Sequence, residues 1–324
     1  MADVLHLGAK LADDAGGAPL ALRSLHIRHK YLGKENEATV FALNTLARVL
    51  DSNAAELADR LYRQALNLMS RLEALDGTQR TLTLEVKRCY SAFLRRQGAA
   101  PARLLEGQAA AQQAALQPAA SLDLSWWEWD VPEQQQHPGG VGWEQQQHPE
   151  QHREQQLEAA EGLLVEAAES SKELLGERHP FTAVMRYVLA GVRSDRGKLQ
   201  EAAGDYRAML QAATDALGAQ HYYTRFMQIP LACCLVKLGE YQEAEKLLRA
   251  VMEEEGKVPG GEGTGIHGEA QVNLADCLGQ QERCREAEEL YRQLLNTGRE
   301  GEQVFEEAKV GLAKLLATSK QPDE

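Results

Sequence analysis

Aromatic residues are scarce in this 324-residue chain, at 6 %, while alanine, leucine, glutamate and glutamine abound. That balance favours helix over sheet, because the abundant residues lose little freedom in a helix. No apolar run approaches the roughly 18 residues that a membrane-crossing helix needs. Residues 1–17 lack a basic stretch followed by an apolar one, so no secretory signal is expected. The five cysteines, Cys89, Cys233, Cys234, Cys277 and Cys284, have neither disulfide-framework nor zinc spacing. A reduced, cytoplasmic setting fits them, as small residues in helix packing. Catalytic signatures are missing as well. There is no Walker-type loop, GxSxG, HExxH or CxxC; the nearest imitation, PGGEGTGIHGE at 259–269, lacks the Gly-Lys-Ser/Thr that grips phosphate and magnesium. Neither an enzyme nor a cofactor is expected. A net charge of −13 argues against nucleic acid as a partner.

What the chain does contain is a repeat. Between Leu175 and Leu248 two halves match at an offset of 42: Leu175-Gly176 falls on Leu217-Gly218, His179 on His221 and Thr182 on Thr224. Leu189-Ala190 falls on Leu231-Ala232, Gly197 on Gly239, and Glu201-Ala202 on Glu243-Ala244. Self-similarity at such a period marks a solenoid. Within one unit, Val184, Tyr187, Val188, Ala190 and Gly191 recur at helical spacing, a turn follows at Gly197, and Ala202, Tyr206, Met209 and Leu210 share a face of a second helix. Small residues at Ala190 and Ala202 let the two helices approach closely. One hairpin cannot bury its apolar side alone, so stacked neighbours must do so together.

The same unit recurs more weakly elsewhere. Residues 19–33 read as a second helix closing on Leu32-Gly33, and helices are expected at 38–50, 54–72, 79–97, 269–280 and 285–295, with a covering helix at 303–316. Residues 102–116 look helical but lack the register. Residues 117–152 are different material: two copies of EQQQHP, tryptophans at 126, 127, 129 and 143, and no Lys or Arg. Such a composition cannot bury enough apolar surface to fold alone. It reads as an insertion within or beside the third hairpin, or as a linker between two short arrays. The expected organisation is therefore 1–116 repeats, 117–152 disordered low-complexity insertion, 153–300 repeats, and 301–324 capping helix and tail.

The elements LGxxHPxT (Leu175 to Thr182), the Leu-Ala pair within the first helix, and GxxxEA (Gly197 to Ala202, Gly239 to Ala244) resemble tetratricopeptide repeats, specifically the 42-residue variety of kinesin light chains. The resemblance covers about residues 15–97 and 153–297 and implies an all-α, right-handed superhelical solenoid of antiparallel hairpins. It further implies a concave groove, lined by first helices, that captures a peptide or helix of a protein partner. In that family, asparagines two and three places before the Ala of the Leu-Ala pair hold the ligand backbone. This chain keeps Asn44 and Asn273, but has Tyr187-Val188 and Ile229-Pro230 at the central positions. Groove positions carried over in this way are Phe41, Asn44, Arg48, Tyr187, Phe226, Ile229, Lys237, Val272, Asn273 and Asp276. The plainer alternative is that these residues only pack against the neighbouring unit.

Three further features are weighed the same way. Lys87, Arg88, Arg95, Arg96 and Arg103 form a basic patch, which could meet an acidic partner, the insertion, or solvent. His137, His148 and His152 lie in a low-complexity stretch without cysteine, which does not make a metal site. Trp126, Trp127 and Trp129 are expected to fold back onto the array or into its groove, because exposed indoles favour aggregation. The function expected from the sequence is a non-catalytic scaffold or adaptor, with a structural subunit of a larger assembly as the alternative.

Overall fold

The computed structural model describes residues 14–51, 54–76, 80–99, 124, 126–127, 149–257, 265–297 and 303–319. Among them are twelve α-helices and no strand. In chain order these are α1 (Asp14–Leu32), α2 (Glu37–Leu50), α3 (Ala55–Asp76), α4 (Thr81–Ala99), α5 (Pro149–Leu175), α6 (Pro180–Asp195), α7 (Leu199–Leu217), α8 (Tyr222–Leu238), α9 (Tyr241–Gly256), α10 (Gly265–Gln280), α11 (Cys284–Thr297) and α12 (Gln303–Ser319). They fall into two compact units, Met1–Val192 and Arg193–Glu324. Each is a solenoid of antiparallel hairpins of the tetratricopeptide type.

The recurring LGxx(H/N)xxT stretch is a connector between hairpins. Its glycine takes a positive φ, 81° at Gly33, 94° at Gly176 and 87° at Gly218, a region closed to most side chains and suited to ending a helix. Its Thr hydroxyl, buried in all three cases, donates to that glycine's carbonyl: Thr39 to Gly33 at 2.8 Å, Thr182 to Gly176 at 2.9 Å, Thr224 to Gly218 at 2.9 Å. Between them sits the cap of the next helix. Asn36 Oδ1 accepts from the Ala38 amide, His179 Nδ1 from Phe181, and His221 Nδ1 from Tyr223, which satisfies donors left open at a helix start. The α3–α4 connection reaches the same end differently: Glu73 accepts both the Arg80 amide and the Thr83 hydroxyl.

Within hairpins the turn is equally regular. Gly197 and Gly239 take φ of 76° and 81°, and the next amides, Lys198 and Glu240, return to Arg193 and Leu235. In the last hairpin Arg283 returns to Leu278 in the same way, but the left-handed position is held by Glu282, at φ 62°. The small residues expected at helix crossings, Ala47, Ala190, Ala202, Ala232, Ala244 and Ala275, are wholly buried, and Tyr62, Tyr206 and Tyr291 are buried as well.

In the first unit α1 packs on α2, α2 on α3 and α4, and α4 on α3 and α5. The α4–α5 pair forms although residues 100–148 lie between the two helices. α5 starts at Pro149, within the stretch read as low-complexity; proline is suited to a helix start, and Glu150 follows it in the first turn. Met185 of α6 joins Leu84 and Ala167 in a small core. In α6, Met185, Leu189 and Val192 are buried, while Val184, read at helical spacing with Tyr187, Val188, Ala190 and Gly191, is 40 % exposed. In the second unit α8 packs on α7, α9 and α10, and α10 on α9, α11 and α12. Close approach explains two glycines of the last layer, since a Cβ at Gly311 would meet the Tyr291 ring at 2.6 Å and one at Gly268 would meet Val304 at 2.9 Å. The helix expected at 102–116 lies outside the described residues.

Thr224→Val keeps the shape of the connector but removes the hydroxyl bond to the Gly218 carbonyl, which then keeps only the His221 amide, so it should lower the stability of the second unit by about 1 kcal/mol in urea denaturation. Glu282→Gly removes left-handed strain and should raise stability by about 1 kcal/mol in the same measurement.

Candidate functional site

The first unit holds an open cavity of about 780 Å³ at the starts of its first helices. From α2 and its cap come Asn36, Glu37, Ala38 and Phe41; from α4 come Thr81, Leu82 and Glu85; from α6 comes Phe181. The connectors explain why these meet. Each fixes where a first helix begins, and so brings the first turns of α2, α4 and α6 together. The walls are apolar, with two carboxylates at the edge. Glu37 is paired with Arg80 at 3.3 Å and Glu85 with Arg88 at 2.6 Å. Burial alone would raise the Glu85 carboxyl, but hydrogen bonding and attraction from Arg88 outweigh it and hold the group low. Arg28 of α1 donates to the Ala38 carbonyl and lies 5.9 Å from the Phe41 ring centre.

Of the groove positions expected in this unit, Phe41 lines the cavity, Arg48 is exposed and Tyr187 is half-buried. Asn44 is only 2 % exposed. Its Nδ2 donates to Cys89 Sγ of α4 at 3.8 Å, and its Oδ1 is buried without a hydrogen bond. In the second unit Ile229 and Val272 are buried, Phe226 and Asn273 half-buried, and Lys237 and Asp276 exposed. Asn273 is also engaged between first helices: its amide donates to the Glu269 carbonyl at 2.7 Å, and its oxygen accepts the Cys233 thiol at 2.9 Å. Burial pushes that thiol up to about 12, so it stays protonated and able to donate. Lys237 reaches Ser194 Oγ at 3.4 Å. Asp276, at the rim, accepts the Tyr291 hydroxyl; its carboxyl is raised by partial burial, against the lowering effect of that bond. The two retained asparagines therefore each face a cysteine of the neighbouring first helix.

Leu82, Glu85 and Phe181 were not among the expected positions. Those positions were counted from the Leu-Ala pair at mid-helix, whereas the cavity lies at the helix starts. Phe181, directly after the His-Pro of the connector, was the available signal. The basic patch is largely matched by the protein's own groups: Lys87 pairs with Glu166, Arg88 with Glu85, and Arg96 with Asp51. Arg95 lies over Gly191, where a Cβ would meet its Nη1 at 2.9 Å. Arg103, Trp129, His137 and His148 lie outside the described residues. Among the described residues no cluster of His, Cys, Asp and Glu could hold a metal ion, all five cysteines are free, and no helix is long and apolar enough to cross a membrane.

Both units are thus repeat solenoids, a fold of protein-interaction scaffolds, and the first holds an apolar recess at the starts of its first helices. Models of the tetratricopeptide repeat match residues 153–181 and 227–300. These two stretches are tetratricopeptide repeats, and they resemble those of kinesin light chains. Among solved structures it is similar to BtubC (BKLC) from P. vanneervenii, with 13 % identity and a TM-score of 0.55 over 96 % of this chain and 93 % of that one, a likeness of fold. It is also similar to kinesin light chain nearly identical TPR-like repeats from Podosopora anserina, with 22 % identity and a TM-score of 0.43 over 54 % of this chain and 82 % of that one. No curated protein matches the sequence.

One buried ion pair holds the α8–α9 hairpin that carries Phe226. Arg225 and Glu255 meet at 2.7 Å, with side chains 11 % and 2 % exposed. Removing one partner of a buried pair strands a charge, whereas replacing both with apolar groups does not. Arg225→Met and Glu255→Leu should each lower stability by about 3 kcal/mol, and the double variant should recover most of that loss in a denaturation cycle.

Proposed function

We propose that the chain is a non-catalytic, cytoplasmic interaction scaffold that takes a segment of a protein partner against the starts of the first helices of its first unit. The observation that carries this reading is the open cavity walled by Ala38, Phe41, Leu82 and Phe181. Apolar walls beside polar groups are how protein-binding sites gain affinity and direction. The carboxylates at its edge are each matched by an arginine, which leaves apolar burial as the main source of affinity. Asn44 and Asn273, being engaged with cysteines, support a mode that relies less on clamping the ligand backbone. Residues 117–148 are an insertion into the third hairpin, in keeping with the packing of α4 on α5.

The alternative, a subunit of a larger assembly, is favoured by a different observation. Tyr31, Leu32, Leu75 and Leu174 are exposed large apolar residues at the ends of the second helices α1, α3 and α5. Exposed apolar groups of this kind suit a lasting contact rather than a transient one.

The two readings separate on one experiment. Peptides are selected from a displayed library on the intact chain and then measured against a Phe41→Ala/Phe181→Ala variant of verified helicity. The cavity reading expects affinity to fall at least about tenfold, or 1.4 kcal/mol. Unchanged affinity removes the cavity from the site and leaves the assembly reading.

A further inference from the structure

The tryptophan-rich stretch is not used by the cavity, whose lining includes neither Trp126 nor Trp127. Both rings lie instead against α1. Trp126 meets His26 edge-on, centres 4.5 Å apart at 85°. Both indoles approach His29, at 5.4 Å and 5.0 Å, and they stand edge-to-face to each other at 5.9 Å. The Trp127 amide returns to the Leu124 carbonyl at 2.9 Å, a tight turn that presents both rings together. Trp127 is 3 % exposed and belongs to the core that also contains Ala18, Ala21 and Leu25 of α1 and Leu164 of α5. Its buried Nε1 makes no hydrogen bond, so apolar burial and ring contacts hold it in place.

α1 needs such support. It carries Gly16, Gly17 and, inside the helix, Pro19, residues that disfavour helix and remove a backbone donor. A helix of that composition depends on tertiary packing for its order. We propose that Leu124, Trp126 and Trp127 form a clasp that fastens the connection between α4 and α5 onto the His26–His29 face of α1, and that α1 stays folded while this clasp is closed. The surface is the two-histidine face of α1, and its occupant is this chain's own Leu124–Trp127.

Hydrogen exchange by mass spectrometry on the full chain tests the clasp. Trp126→Ala/Trp127→Ala and His26→Gln/His29→Gln are compared with Tyr31→Ala, a change at a 75 % exposed residue of α1 outside the clasp. The amides of residues 14–32 should exchange at least about tenfold faster in the first two variants, with α9 unchanged. Tyr31→Ala should exchange like the unmodified chain. Glutamine is a better helix former than histidine, so any gain in exchange in the histidine variant runs against local propensity and reports the lost contact. Should the tryptophan variant lose helicity throughout the first unit, the histidine variant decides alone. Exchange of α1 in that variant equal to the Tyr31→Ala rate overturns the proposal.

Discussion

The hydrogen bond from a buried threonine to the carbonyl of a left-handed glycine is the constraint on which the array depends. Three connectors share it, at Gly33 and Thr39, Gly176 and Thr182, and Gly218 and Thr224. A helix end leaves carbonyls open, a helix start leaves amides open, and a buried hydroxyl needs an acceptor. The connector answers all three within a few residues, with Asn36, His179 or His221 supplying the cap. Because the glycine bends the chain and the threonine locks the bend, the next first helix starts at a fixed place and direction. The alanine crossings then determine how closely the paired helices approach.

That fixed starting point is what produces a site. First turns of α2, α4 and α6 are held side by side, and the recess between them is lined by whatever residues occupy those turns. In this chain they are largely apolar, and the acids among them are balanced by Arg80 and Arg88. Deeper along the same helices, polar residues are used between neighbours instead. Asn44 faces Cys89, and Asn273 faces Cys233, so groups that could have met a ligand tie adjacent first helices together. The recess and the contact of Trp126 and Trp127 with α1 share no residue in the first unit.

Much of the fold was legible in the sequence because its signals are local and repeated. Leu-Gly, the histidine or asparagine three residues after that glycine, and the threonine after it act within one connector. The start of α2 followed from them to within one residue, and the apolar spacing matched α10–α12 to within about four residues. The lining of the cavity was less legible. Phe41 was reached by counting from the Leu-Ala pair, but Leu82, Glu85 and Phe181 were not, since a position counted at mid-helix does not reveal which helix starts converge. Asn44 carried the expected residue type, yet its burial depends on Cys89, forty-five residues away.

By itself, then, the sequence determined the hairpin, its period and its turns, because glycine φ, capping and small-residue crossings are properties of neighbouring residues. Tertiary structure alone decided which turns line a cavity, which charges are matched, and where the tryptophans go. Trp126 and Trp127 rest on His26 and His29 of α1, a pairing without local signal, because burial rewards whichever surface the folded chain brings within reach.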